Sequence, residues 1–262
     1  MARKQMAIDL PVGLQSRFEG ALLGLLAVLY GFDRLSERDR HNFDAAADVA
    51  LSLAEGLGQG RAIAQVALPV PWADLVTWGA ERQAIALLPA VLRWFDRPAE
   101  LAALLRAQGI TLTEPLALGA LTVARSLVAA PGSIATGWAD PLPAAWMDWP
   151  LSGAIGLGTK AEGIAPLVAL QGVVAGGGRW AAAVSYGRQR SPSAALWAGL
   201  LVGALGGVAA IPAAIGAGIP DVTGDRAIVA AAALAGCWAG RRPAVGDRVG
   251  AHVPISPPQS RF

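Results

Sequence analysis

Side chains able to do chemistry are sparse in this sequence. There are two histidines, His41 and His252, and one cysteine, Cys237. Two histidines are too few for a histidine-based zinc site. A Ser-His-Asp triad would have to use one of them; His41 follows a charged loop and His252 lies in a Pro/Gly/Ser-rich tail, so neither suits it. Cys237 stands in an Ala/Gly-rich segment and reads as a packed core thiol rather than a nucleophile. A lone cysteine forms no internal disulfide and allows a reducing compartment, so the expected location is cytoplasmic. Asp140, Asp148 and Glu162 flank a Trp-rich stretch and could form a carboxylate pair, although scattered surface acids are the simpler reading. Within that stretch Trp138, Trp146 and Trp149 could stack a flat ligand or could cover a core edge. Gly176-Gly177-Gly178 follows no strand and lacks a phosphate-loop lysine, so it reads as a turn. Between Glu162 and Asp221 there is no acidic residue at all.

The elements that would hold such groups are helices. Hydrophobic residues make up 54% of the chain and charged residues 15%. Alanine, leucine and glycine dominate, and β-branched runs are short, which favours closely packed helices over sheets. The net charge of +2 comes with scattered arginines. Nucleic-acid binding would leave a dense basic stripe, so no nucleic-acid partner is expected. The uncharged stretch 191–220 is long enough to cross a bilayer. It is also broken by six glycines and by Pro212 and Pro220, which favours one helix, a turn and a short second piece inside a soluble bundle. An integral membrane protein is the competing class.

Apolar spacing and helix punctuation predict an arm over 1–14, one helical domain over 15–240 and a disordered tail over 241–262. Helices are expected over 15–31, 44–58, 61–68, 81–95, 98–108 and 115–130, then over 161–175, 180–187, 193–206 and 226–240. Asp44 is the expected cap of the second helix. Asp96 is expected to cap the helix that begins at Pro98, with Gly109 as its stop. Residues 131–152 read as a long loop.

Four segments in order resemble the ADP-ribosylglycohydrolase family, which includes the dinitrogenase reductase-activating glycohydrolases. Arg17-Phe18-Glu19-Gly20-Ala21-Leu22-Leu23-Gly24-Leu25 is similar to the family's opening helix. Asp48-Val49-Ala50-Leu51-Ser52-Leu53-Ala54-Glu55 resembles the helix after its Thr-Asp-Asp-Thr motif. Leu88-Pro89-Ala90-Val91, Pro98-Ala99-Glu100-Leu101 and Thr113-Glu114-Pro115-Leu116-Ala117 resemble its middle section. Ala198-Gly199-Leu200-Leu201-Val202-Gly203-Ala204, ending in Ile211-Pro212, resembles the helix after its Asp-Thr-Asp-Thr motif. The resemblance implies an all-α fold, a compact multi-helix bundle. In intact members it also implies removal of ADP-ribose from a modified side chain with two magnesium or manganese ions.

The ligand motifs of that chemistry are missing. Hard divalent ions need carboxylates, hydroxyls and waters, and two adjacent ions need several carboxylates to offset their charge. Where the opening helix should carry Gly-Asp, Val28-Leu29 stands instead. Thr-Asp-Asp-Thr becomes Asp44-Ala45-Ala46-Ala47, and Asp-Thr-Asp-Thr becomes Arg190-Ser191-Pro192-Ser193. A Gly-Asn-Gly stretch becomes Ala80-Glu81-Arg82, and the family's Thr-His start has Leu112 or Glu114 for its histidine. Only Asp44 stays near a ligand position, shifted in register. Ser191 before Pro192 makes an ordinary helix start, and Arg190 would repel a cation.

The expectation is a catalytically silent relative, a pseudoenzyme with no catalytic residue, no metal and no cofactor, serving a structural, regulatory or partner-binding role with a protein partner possible. Metal-free binding of ADP-ribose or a related nucleotide, with Trp138, Trp146, Trp149 and Arg190 as ligand-binding candidates, is the first alternative. Residual hydrolase activity with relocated residues is another.

Overall fold

The computed structural model describes residues 13–31, 36–111, 113–129 and 164–241. Among these residues every regular element is helical, and no strand occurs. The expected arm up to residue 12, the Trp-rich loop and the tail beyond residue 241 lie outside the described residues.

The helices are α1 (Leu14–Gly31), α2 (Glu37–Gly58), α3 (Trp72–Val76), α4 (Ala80–Ala86), α5 (Leu88–Arg93) and α6 (Pro98–Ala107). They continue with α7 (Glu114–Val128), α8 (Ala165–Ala175), α9 (Trp180–Arg188), α10 (Pro192–Gly206), α11 (Ala213–Gly216) and α12 (Asp221–Trp238). Buried apolar side chains from α1 through α12 form one hydrophobic cluster. At its centre α1 crosses α10. Both are apolar on nearly every side, and α10 is buried continuously from Ser193 to Leu205. A helix apolar all round must lie inside a bundle or a membrane, and here other helices surround it.

Glycine sets the spacing of that crossing. A Cβ on Gly20 would overlap the Gly203 carbonyl, and one on Gly24 would overlap the Gly199 carbonyl; the reverse clashes hold at Gly199 and Gly203. The two backbones therefore touch along a seam of about one turn that any side chain would force apart. The same helix crosses α7, where the fully buried Arg17 guanidinium replaces the missing end of a helix. Its Nη1 donates to the carbonyls of Ser126 (3.1 Å), Leu127 (2.7 Å) and Ala129 (2.8 Å), which α7 leaves without intrahelical partners. Trp197 of α10 fills the other side of α7 against Gly119, where a Cβ would come within 2.6 Å of its ring.

Several helix boundaries differ from expectation. The second helix starts at Glu37, not Asp44. Ser36 is its cap, accepting the Asp39 N–H at 3.1 Å and donating to the Asp39 carboxylate at 2.6 Å. Glu37 and Asp39 in that first turn favour the positive helix end, so residues 37–40 of the charged loop are helical. The helix expected over 61–68 is only a 3-10 turn, Ile63–Gln65, ahead of Pro69 and Pro71. The helix expected over 81–95 divides at Leu87, because Pro89 opens α5. Asp96 does not cap α6. Arg97 holds the cap position without a side-chain bond, and Glu100 fixes the turn by accepting from Trp94 Nε1 (2.9 Å) and Arg97 (2.6 Å). Gly109 at φ +75° ends α6 as expected. Helix α8 opens at Ala165 after the extended Ile164 rather than at residue 161, and α12 begins at Asp221, five residues early.

The uncharged stretch 191–220 forms α10, a turn at Gly207 (φ +67°), a 3-10 turn at Val208–Ala210 and the short α11. Among the described residues no helix is long and apolar enough to cross a membrane.

Candidate functional site

Three helix starts meet at one cleft of about 520 Å³. Asp39, Asn42 and Phe43 come from the first two turns of α2, Gly79–Arg82 from the start of α4, and Ser191–Ser193 from the start of α10. Each of these segments was singled out from sequence or adjoins one that was: Ala80-Glu81-Arg82 and Ser191-Pro192-Ser193 directly, and the α2 turn just before Asp44.

Local chemistry builds the cleft wall. Ser191 caps α10, its hydroxyl accepting the Ala194 N–H at 3.0 Å, and Pro192 occupies the first turn, where no N–H is needed. This fixes the direction of Ser193, which is buried and donates its hydroxyl to Glu81 Oε2 across 112 residues of sequence. Gln83, also buried, donates to the Leu75 carbonyl at 3.2 Å and ties α4 to α3. Arg82 lies with its guanidinium 3.6 Å from the Trp78 ring centroid. Its Nε is buried without a hydrogen-bond partner, and burial holds its pKa below the ordinary arginine value.

Other candidate residues lie elsewhere. Leu29 is buried core in α1, and Ala46 and Ala47 are buried in α2 with Ala45 half-buried; none of these lines the cleft. Asp44 sits two turns inside α2 and faces Tyr30 at the end of α1. Burial first, then the charge of Asp44 and its hydrogen bond, then the charge of Asp48, push the Tyr30 phenol up to about 12. Asp44 Oδ1 is buried with no partner of its own. Arg190 is exposed, 5.7 Å from the Tyr186 ring, and is not among the residues lining the cleft. His41 is exposed on α2. Trp138, Trp146, Trp149, Asp140, Asp148, Glu162 and His252 lie outside the described residues. Cys237 is buried and donates its thiol to the Gly58 carbonyl at 3.1 Å, as a packed thiol should.

As a set of metal donors the cleft offers two carboxylates, Asp39 and Glu81, each already bonded to a serine hydroxyl, with the Arg82 cation beside them. Among the described residues no three His, Cys, Asp or Glu side chains gather as a metal-binding group. These residues do not fit a pair of divalent ions, which need more negative charge than two engaged carboxylates supply. Sequence reasoning missed Asn42, Phe43 and the Arg82–Trp78 pair, because no local motif marks them. Compared with family models, with curated proteins and with solved structures, the chain finds no match.

Proposed function

We propose that this chain is a catalytically silent relative of the ADP-ribosylglycohydrolases that acts by binding rather than by hydrolysis. The observation that carries the reading is the cleft itself. Two of the segments standing where the family carries its motifs, Ala80-Glu81-Arg82 and Ser191-Pro192-Ser193, line it, and their chemistry is that of helix capping and a serine–glutamate bond instead of a metal cage. Arg82 beside the carboxylates would repel a divalent ion placed between them. On this reading the scaffold is kept for a structural or regulatory role with a partner, and no cofactor takes part.

The test is an assay of ADP-ribose release from ADP-ribosylated arginine, with and without magnesium. No release in either condition is the expected result. Turnover that needed magnesium would overturn the reading.

Arg82 favours a second reading, metal-free binding of ADP-ribose or a related nucleotide. Arg82 lines the cleft as a cation stacked on Trp78, and a guanidinium is a strong donor to phosphate oxygens. Calorimetric titration with ADP-ribose then gives heat without magnesium, and Arg82→Ala removes it. Heat that appeared only with magnesium, or that Arg82→Ala left unchanged, would exclude this second reading.

A further inference from the structure

The outer face of α12 is apolar where a surface helix is ordinarily polar. Val222 is 73% exposed and Val229 61% exposed, and Ile228 and Val208 beside them are also exposed. Val222, Val229 and Gly236 recur every seven residues, so they line one side of the helix, opposite the buried Ala227, Ala230, Ala231 and Leu234. Gly236 is a gap in that line. A Cβ there would meet only the Arg241 side chain, 4.0 Å away, so Arg241 lies back alongside Gly236. The N-terminal end of the same face carries Asp221 and Asp225, both exposed.

We infer that α12 is a self-pairing surface on which a second copy of this chain packs antiparallel. Reversal about Val229 sets Val229 against its counterpart on the two-fold axis. Position 222 then faces position 236, since both lie seven residues from the centre, so the Val222 side chain enters the gap above Gly236. The same reversal brings the Arg241 end of one copy to the Asp221 and Asp225 end of the other. Knob, gap and charge thus complement one another twice in one isologous contact. A parallel pairing would set the acids against each other and leave both gaps empty. This inference does not depend on the cleft, nor on what the cleft binds.

Sedimentation velocity of the full chain from about 1 to 100 μM tests it. The expected result is a dimer, weakened at least about 30-fold by Val229→Glu, because the new carboxylate would be buried without a partner. Val76→Glu, at an exposed valine on α3, leaves the dimer unchanged. Arg241→Glu weakens association, and adding Asp221→Arg and Asp225→Arg restores it. Far-ultraviolet circular dichroism of each variant verifies that the exposed substitutions leave the fold intact. A monomer throughout, or a dimer indifferent to Val229→Glu, would overturn the inference. Failure of the charge exchange to restore the dimer would overturn the antiparallel pairing.

Discussion

Two polar side chains show how burial changes chemistry without making a catalytic site. Tyr30 holds its proton because ionisation would place a phenolate in a half-buried site next to Asp44 and Asp48. Its folded pKa is about 12 against an ordinary value of 10.0. Between those values the unfolded chain loses the phenolic proton and the folded chain keeps it. The stabilising contribution is therefore complete below pH 10 and is lost as pH rises toward 12. The chain has two tyrosines, so in Tyr186→Phe the absorbance titration reads Tyr30 alone and should centre near 12. In Tyr30→Phe the alkaline fall in stability over that window should flatten. Arg17 is the second case. Replacing it with leucine leaves three carbonyls at the end of α7 without their donor. The expected loss is about 1–3 kcal/mol in denaturant unfolding, since buried acceptors lose both water and partner. A variant as stable as the parent would mean that relief of burying the charge, whose pKa is already lowered by desolvation, outweighs the cap.

At the scale of elements, the crossing of α1 and α10 depends on absent side chains. Gly24→Ala or Gly203→Ala puts a methyl group into the opposing backbone, which cannot yield as a flexible side chain would. Each should cost about 1–3 kcal/mol or more, read as a fall in the midpoint of thermal unfolding. Gly216→Ala is the contrast, because nothing lies within 4 Å of the added Cβ in α11. That change should be neutral or stabilise by up to about 1 kcal/mol. The Gly20-Ala21-Leu22-Leu23-Gly24 run was readable in the sequence as part of the first helix. Which helix it met was not, because the glycine pairs are about 180 residues apart and local pattern has no reach at that separation. Helix caps were missed for a related reason. Asp44 and Asp96 were plausible caps by type, yet Ser36 caps α2, and α6 begins at Pro98 as expected with its turn held by the Trp94–Glu100 contact instead.

For the whole molecule, the proposed loss of metal binding has a thermodynamic signature. A ligand that binds only the folded state raises stability by RT ln(1 + [L]/Kd). Millimolar magnesium should therefore leave the unfolding midpoint where it is, while an intact two-ion site would raise it measurably. A clear magnesium-dependent rise, reversed by chelation, would show that donors other than Asp39 and Glu81 hold the ion. The proposed self-pairing through α12 makes a separate demand at this scale: a midpoint that rises with protein concentration in the parent chain and does not in Val229→Glu.

By itself the sequence determined the helical class, most helix positions, the glycine stop at Gly109 and the division of 191–220 into a helix, a turn and a short piece. These follow from spacing, proline and glycine, which act over a few residues. It also made plain which chemistry-bearing residues stand at each motif-like position. Tertiary structure alone decided that the starts of α2, α4 and α10 share a cleft, that Glu81 meets Ser193, and that Asp44 turns to Tyr30. Those contacts depend on how the helices cross, and the crossing is set by the fit of buried surfaces distant in sequence.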